Sequence, residues 1–94
     1  MIKNVLISLD NFTVLSEMTK IEILIVKKLF KYLSLDGEYK DVVILNSAIR
    51  KSIIEDLNIK SSSFNNSLNN LCKKNLLNRL DTNMYTINKE IFKY

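Results

Sequence analysis

The chain has no histidine and no proline, one glycine and one cysteine among 94 residues, and these shortages exclude most chemistry before any spacing is read. Without His, and with Cys72 alone, there is no Cys/His zinc set, no Ser/His/Asp or Cys/His triad, and no His-held metal of the kind a rolling-circle nicking enzyme uses. With Gly37 as the only glycine, no glycine loop cradles nucleotide phosphates. Glu55 and Asp56 are consecutive, and consecutive helix positions point apart, so they read as solvated charges. One Cys supports no disulfide framework, which fits a reducing cytoplasm. The opening Met1 to Asp10 is too brief and too interrupted for a signal segment, and apolar runs such as Ile23 to Val26 are far too short to span a membrane. The expectation is a non-enzymatic cytoplasmic protein, without cofactor or metal, that is neither exported nor membrane-spanning.

Acid is the other shortage, and it is local. The chain as a whole carries a formal +4 and a pI near 9.2, a balance that permits a polyanionic partner without requiring one. Between Asp56 and Asp81, however, there is no Asp or Glu at all, while Lys60, Lys73, Lys74 and Arg79 fall inside the gap. The acids gather instead at Asp36, Glu38 and Asp41 and at Glu55 and Asp56.

Within the gap lies a helix-sized segment, Ser61 to Lys74. Phe64, Leu68, Leu71 and Cys72 recur at the spacing of one helical stripe, which leaves Ser62, Ser63, Asn65, Asn66, Asn69, Asn70, Lys73 and Lys74 facing outward. Ser and Asn are mediocre helix formers, because their side chains compete for backbone hydrogen bonds. Their density here points to selection for something other than helix stability. A genome rich in A and T supplies Asn, Lys and Ile freely and would account for the asparagines, but not for the missing acids. A surface of amides and hydroxyls approaches phosphate without repulsion, and the Asn amide matches an adenine edge in the major groove. The segment reads as a recognition helix.

Length and a 47% hydrophobic content suit one small domain spanning residues 1–94. Residues 1–18 read as an N-terminal arm, extended or an edge strand. Thr19 and Glu22 form a capping box before a helix running to Leu33, apolar over more than half its circumference; the excess is covered either by a second subunit or by the arm of the same chain. Asp36-Gly37 makes a turn, Val42 to Ile44 a short buried strand, and Ser47 or Asn46 caps a second helix that turns Ile49, Ile53, Ile54 and Leu57 inward. Asn58 to Lys60 is a tight connection, and the Ser61 hydroxyl is available to cap the helix that follows. Residues 46–74 thus read as a helix-turn-helix. Asn75 stands where a left-handed residue ends a helix. Leu76 to Leu80 and Met84 to Ile87, joined by Asp81-Thr82-Asn83, then form a hairpin, so that residues 75–88 make a wing. Arg79, Thr82 and Asn83 on that hairpin are expected to touch DNA, Arg79 meeting backbone or minor groove or else pairing with Asp81, while Tyr85 packs beneath. The fold class is α+β: a winged helix-turn-helix, three helices with a β-hairpin wing.

The stretches Val43 to Lys51, Leu57 to Leu71, Leu76 to Arg79 and the ending Tyr85-Thr86-Ile87-Asn88-Lys89-Glu90-Ile91-Phe92 resemble the winged-helix replication proteins of small plasmids from Gram-positive bacteria. The pattern Tyr-x-Ile-Asn-x-Glu-Ile-Phe is its most specific part. Two positions depart from it: the family tends to have Gly where Asn75 stands and Pro where Lys89 stands. The resemblance implies a winged-helix protein bound to double-stranded DNA at an origin or other maintenance site of a plasmid or mobile element, serving replication, conjugative transfer or segregation, and the apolar excess of the first helix adds the expectation of a homodimer. A transcriptional regulator and a winged-helix adaptor that binds protein instead are the alternatives. The residues expected at DNA are Lys60, Ser61, Ser62, Ser63, Asn65, Asn66, Asn69, Asn70, Lys73, Lys74, Arg79, Thr82 and Asn83.

Overall fold

The computed structural model describes residues 6–7, 18–89 and 91–93. In chain order these form β1 (Leu6–Ile7), α1 (Lys20–Lys31), β2 (Val42–Ile44), α2 (Ser47–Leu57), α3 (Ser61–Lys73), β3 (Leu77–Asp81), β4 (Met84–Ile87) and β5 (Phe92–Lys93). The domain is a small α+β unit of three helices, a three-stranded antiparallel sheet ordered β2-β4-β3, and a two-stranded pair β1-β5. Of the N-terminal arm, Leu6–Ile7 pair antiparallel with Phe92–Lys93; the rest of the arm up to Glu17 lies outside the described residues.

Four of the six helix ends have a readable cause. α1 starts on the capping box: the Glu22 amide donates to Thr19 Oγ1 at 3.1 Å and the Thr19 amide to Glu22 Oε1 at 2.8 Å. α2 starts on Asn46, whose Oδ1 accepts from the Ile49 amide at 2.9 Å. It stops at Asn58, left-handed at φ 52°. At the end of α3 the Asn75 amide donates to Cys72 O at 3.1 Å and the Leu76 amide to Leu71 O at 3.0 Å, with Asn75 left-handed at φ 61°. That pair of bonds, with Leu71 and Leu76 both fully buried behind it, is a Schellman ending.

The core draws Ile25, Val26, Leu29 and Phe30 from α1, Ile53 from α2, Phe64, Leu68 and Leu71 from α3, and Val43, Leu77, Tyr85 and Ile87 from the sheet. α1 packs on both other helices, and β3 continues from α3 along its flank. Ile91 and Phe92 close the bottom of this core, the Phe92 ring meeting Phe30 edge to face at 6.0 Å. The strand expected over Val42 to Ile44 is present, but it is buried only at Val43; Ile44 is on the outer surface. Strands alternate, and β2 has one face on the core and the other in water.

β2 joins the hairpin from a distance in sequence. Val43 lies opposite Tyr85 and Val42 opposite Thr86, so β4 is the central strand. On its other side Leu77, Asn78, Arg79 and Asp81 face Ile87, Thr86, Tyr85 and Met84, which leaves Leu80 as an extra residue and a bulge beside Arg79.

Candidate nucleic-acid interface

The outer face of α3 is open. Lys60, Ser61, Ser62, Asn65, Asn66, Asn69, Asn70 and Lys73 are exposed, Ser63 is half-buried, and Phe64, Leu68 and Leu71 turn into the core. Among the described residues no ion pair engages Lys60 or Lys73. Arg79, Thr82 and Asn83 are exposed on the β3–β4 hairpin.

The N-terminus of α3 differs from those of its neighbours. Ser61 was the expected cap, but it is the first helical residue; Lys60 is the cap position, and no side chain there accepts a hydrogen bond. The reason is register: the chain leaves the left-handed Asn58 so that Lys60 takes the extended cap conformation and Ser61 already has helical geometry. Where α1 and α2 satisfy first-turn amides with their own side chains, α3 does not, and it carries no acid in that turn. Uncapped first-turn amides are a place for an outside acceptor.

Lys74 has a different place from the other cations of the acid-free stretch. Half-buried at the end of α3, it donates from Nζ to both oxygens of Glu22, at 2.8 and 3.1 Å. Glu22 is 1% exposed. Burial alone would raise its carboxyl, but the hydrogen bond from Lys74, those from Thr19, and the Lys74 charge together hold it below the ordinary Glu value. One carboxylate thus serves both the start of α1 and the end of α3, and Lys74 is committed to holding the two helices together.

Arg50 joins the site unforeseen. It stands on α2, donates from Nη1 to Asn65 Oδ1 at 2.6 Å, and sets its guanidinium 5.4 Å from the centre of the Phe64 ring. Nothing in its local sequence separates it from an ordinary wet helix position; its place is set by contact with a side chain 15 residues on, in the next helix. With Asn65, Leu68, Asn69, Arg79 and Tyr85 it lines a cleft of about 280 Å³ between α3 and the sheet. Arg79 forms the opposite wall. Its Nε and Nη2 donate to the main-chain carbonyls of Asp81 and Thr82, at 3.4 and 3.2 Å, and its guanidinium lies 6.0 Å from the Tyr85 ring centre. The Asp81 carboxylate accepts from the Thr82 amide at 2.7 Å. The guanidinium is therefore held over the hairpin turn by carbonyls, which orient it without neutralising it.

Cys72 is half-buried, and burial pushes its thiol up although the Arg79 charge opposes it. Among the described residues no three metal-ligating side chains cluster, and no helix is long and apolar enough to cross a membrane. Comparison with protein-family models, with curated proteins and with solved structures finds no match.

Proposed function

We propose that this chain is a winged helix-turn-helix domain that binds duplex DNA and catalyses no reaction. The observation that carries the proposal is the acid-free, amide-rich outer face of α3, flanked by the guanidiniums of Arg50 and Arg79. The element order supports it as well: helix, strand, two helices joined by a tight turn, then a hairpin to which the earlier strand is hydrogen-bonded. In this reading α3 enters the major groove with Asn65, Asn66, Asn69 and Asn70 toward base edges. The uncapped amides around Ser61, Ser62 and Ser63, with Lys60 and Lys73, meet phosphates. The hairpin is the wing, bringing Arg79, Thr82 and Asn83 to the backbone or minor groove. Lys74 leaves this set for the structural reason given above.

The resemblance to plasmid replication proteins supports a reading in which the protein acts at an origin or other maintenance site of a mobile element, and the proposal takes it to do so as a homodimer in the cytoplasm. Ile21 and Leu24, large apolar side chains exposed on α1, offer a second subunit apolar surface to bury. They are equally the feature that favours an adaptor docking another protein.

Electrophoretic shift of fragmented plasmid DNA separates the two readings. Phosphate contacts by Lys60, Lys73 and Arg79 give a salt slope of about −2.7 per chain, a loss of roughly 40-fold between about 50 and about 200 mM salt. An adaptor shifts no DNA at either concentration.

A further inference from the structure

Arg50 changes what Asn65 is able to read. Arginine donates and never accepts, so the atom it meets at 2.6 Å is necessarily the carboxamide oxygen. This fixes the orientation of the amide: the oxygen is held toward α2 and the two N–H bonds of Nδ2 are left for the cleft. A bidentate pairing with adenine needs both ends of the carboxamide, the oxygen accepting from N6 and the nitrogen donating to N7. The Arg50 bond occupies one of the two lone pairs of the Asn65 oxygen and sets a cation beside the other, which disfavours a second donor there and leaves donation from Nδ2 as the stronger half of the amide.

The rest of the cleft points the same way. Arg50 keeps further N–H donors beyond the one given to Asn65, and Arg79 faces it with no carboxylate in the lining. The floor is Leu68 and Tyr85, which are nearly fully buried. The walls are thus rich in donors and the floor is flat and weakly polar. Among base edges, the one that presents two acceptors and no donor in the major groove is guanine, with O6 and N7.

We infer that Arg50 and Asn65 act as one donor pair that reads guanine in the major groove, and that Arg50 sets this choice by holding the Asn65 amide. The inference rests on the DNA-binding reading and deepens it. It differs from what the asparagines suggest taken singly, which is adenine.

The test uses the whole chain and a pool of duplexes with a randomised stretch, from which bound sequences are selected and read. The wild-type protein is expected to enrich guanine at a fixed position, and replacing that guanine by 7-deazaguanine, which lacks the N7 acceptor, to weaken binding roughly tenfold or more. Arg50→Met frees the Asn65 carboxamide and is expected to shift the enriched base at that position toward adenine, while Asn65→Ala flattens the preference. Two results overturn the inference alone: tight binding with no guanine enriched, or an Arg50→Met protein that binds every duplex more weakly with its base preference intact. The second marks Arg50 as a phosphate contact. Failure to retain any duplex in the pool overturns the DNA reading and the guanine with it.

Discussion

Removing the Lys74 cation separates a structural role from a DNA-contacting one at a residue that, by sequence, belongs with Lys73. In the folded protein the Glu22 carboxylate is 1% exposed and accepts from Lys74 at 2.8 and 3.1 Å and from the Thr19 amide at 2.8 Å. Lys74→Met keeps a long apolar stem but leaves Glu22 with the Thr19 bonds alone. Stranding a buried charge costs about 3–5 kcal/mol. The Lys74 side chain is itself 31% exposed, so water reaches part of the vacated space, and about 2–3 kcal/mol is the better expectation. For a domain of this size each kcal/mol shifts the melting temperature by about 4–8 °C, so the variant is expected to melt roughly 10–20 °C lower near neutral pH. The pH dependence gives a second reading. In the wild type the Glu22 carboxyl lies below its ordinary value, so its contribution is complete above the ordinary carboxyl range and is lost as pH falls through the lowered one. In the variant, burial is no longer outweighed and the carboxyl rises, so acid protonates a group that is better buried neutral. The gap between the proteins therefore narrows as pH drops from about 7 to about 4. Circular-dichroism melts across that range measure both effects, and Glu22→Gln combined with Lys74→Met is expected to recover part of the loss. A variant that melts within about 2 °C of wild type, yet loses a phosphate contact in its salt slope, refutes the structural assignment of Lys74.

Lys73→Ala is expected to leave the melt unchanged and to reduce the magnitude of the salt slope by about 0.9, on preferred and random duplex alike. Asn66→Ala or Asn69→Ala is expected to cost about 1–3 kcal/mol on the preferred site and little on random DNA; equal binding to both duplexes by wild type and variants would show that α3 is not the reader. Asn75 sits at φ 61°, so Asn75→Gly is expected to be neutral or slightly stabilising in urea unfolding and Asn75→Ala to cost about 1 kcal/mol. An alanine variant as stable as the glycine one would count against a left-handed helix end.

Local signals were the legible ones. Thr19 and Glu22 are three apart, within reach of each other's main chain, and their capping box is where it was expected. The same holds for the cap at Asn46, one of two candidates, and for the left-handed Asn75. Of the helical stripe that periodicity gives, Phe64, Leu68 and Leu71 are the buried face of α3, and Cys72 at its edge is half-buried. The hairpin followed from composition, and Tyr85 packs beneath it, but the bulge at Leu80 did not, since pairing register depends on the partner strand. Hydroxyl chemistry marks Ser61 as a cap candidate for α3, whereas the dihedral angles set by the preceding turn put the cap one residue earlier, at Lys60.

The sequence alone determined where the helices run, which face of α3 is apolar, and that the stretch after Asp56 carries no acid, because each of these depends on neighbours within a turn or two of chain. Tertiary structure decided which charges belong to that face. It brought Glu22 onto Lys74 across 52 residues and Arg50 onto Asn65 across 15. Packing of α1 against α3 made the first contact and the tight turn between α2 and α3 the second, and no helical or strand period connects positions so far apart. The first withdrew a cation from the exposed face and the second added one beside it.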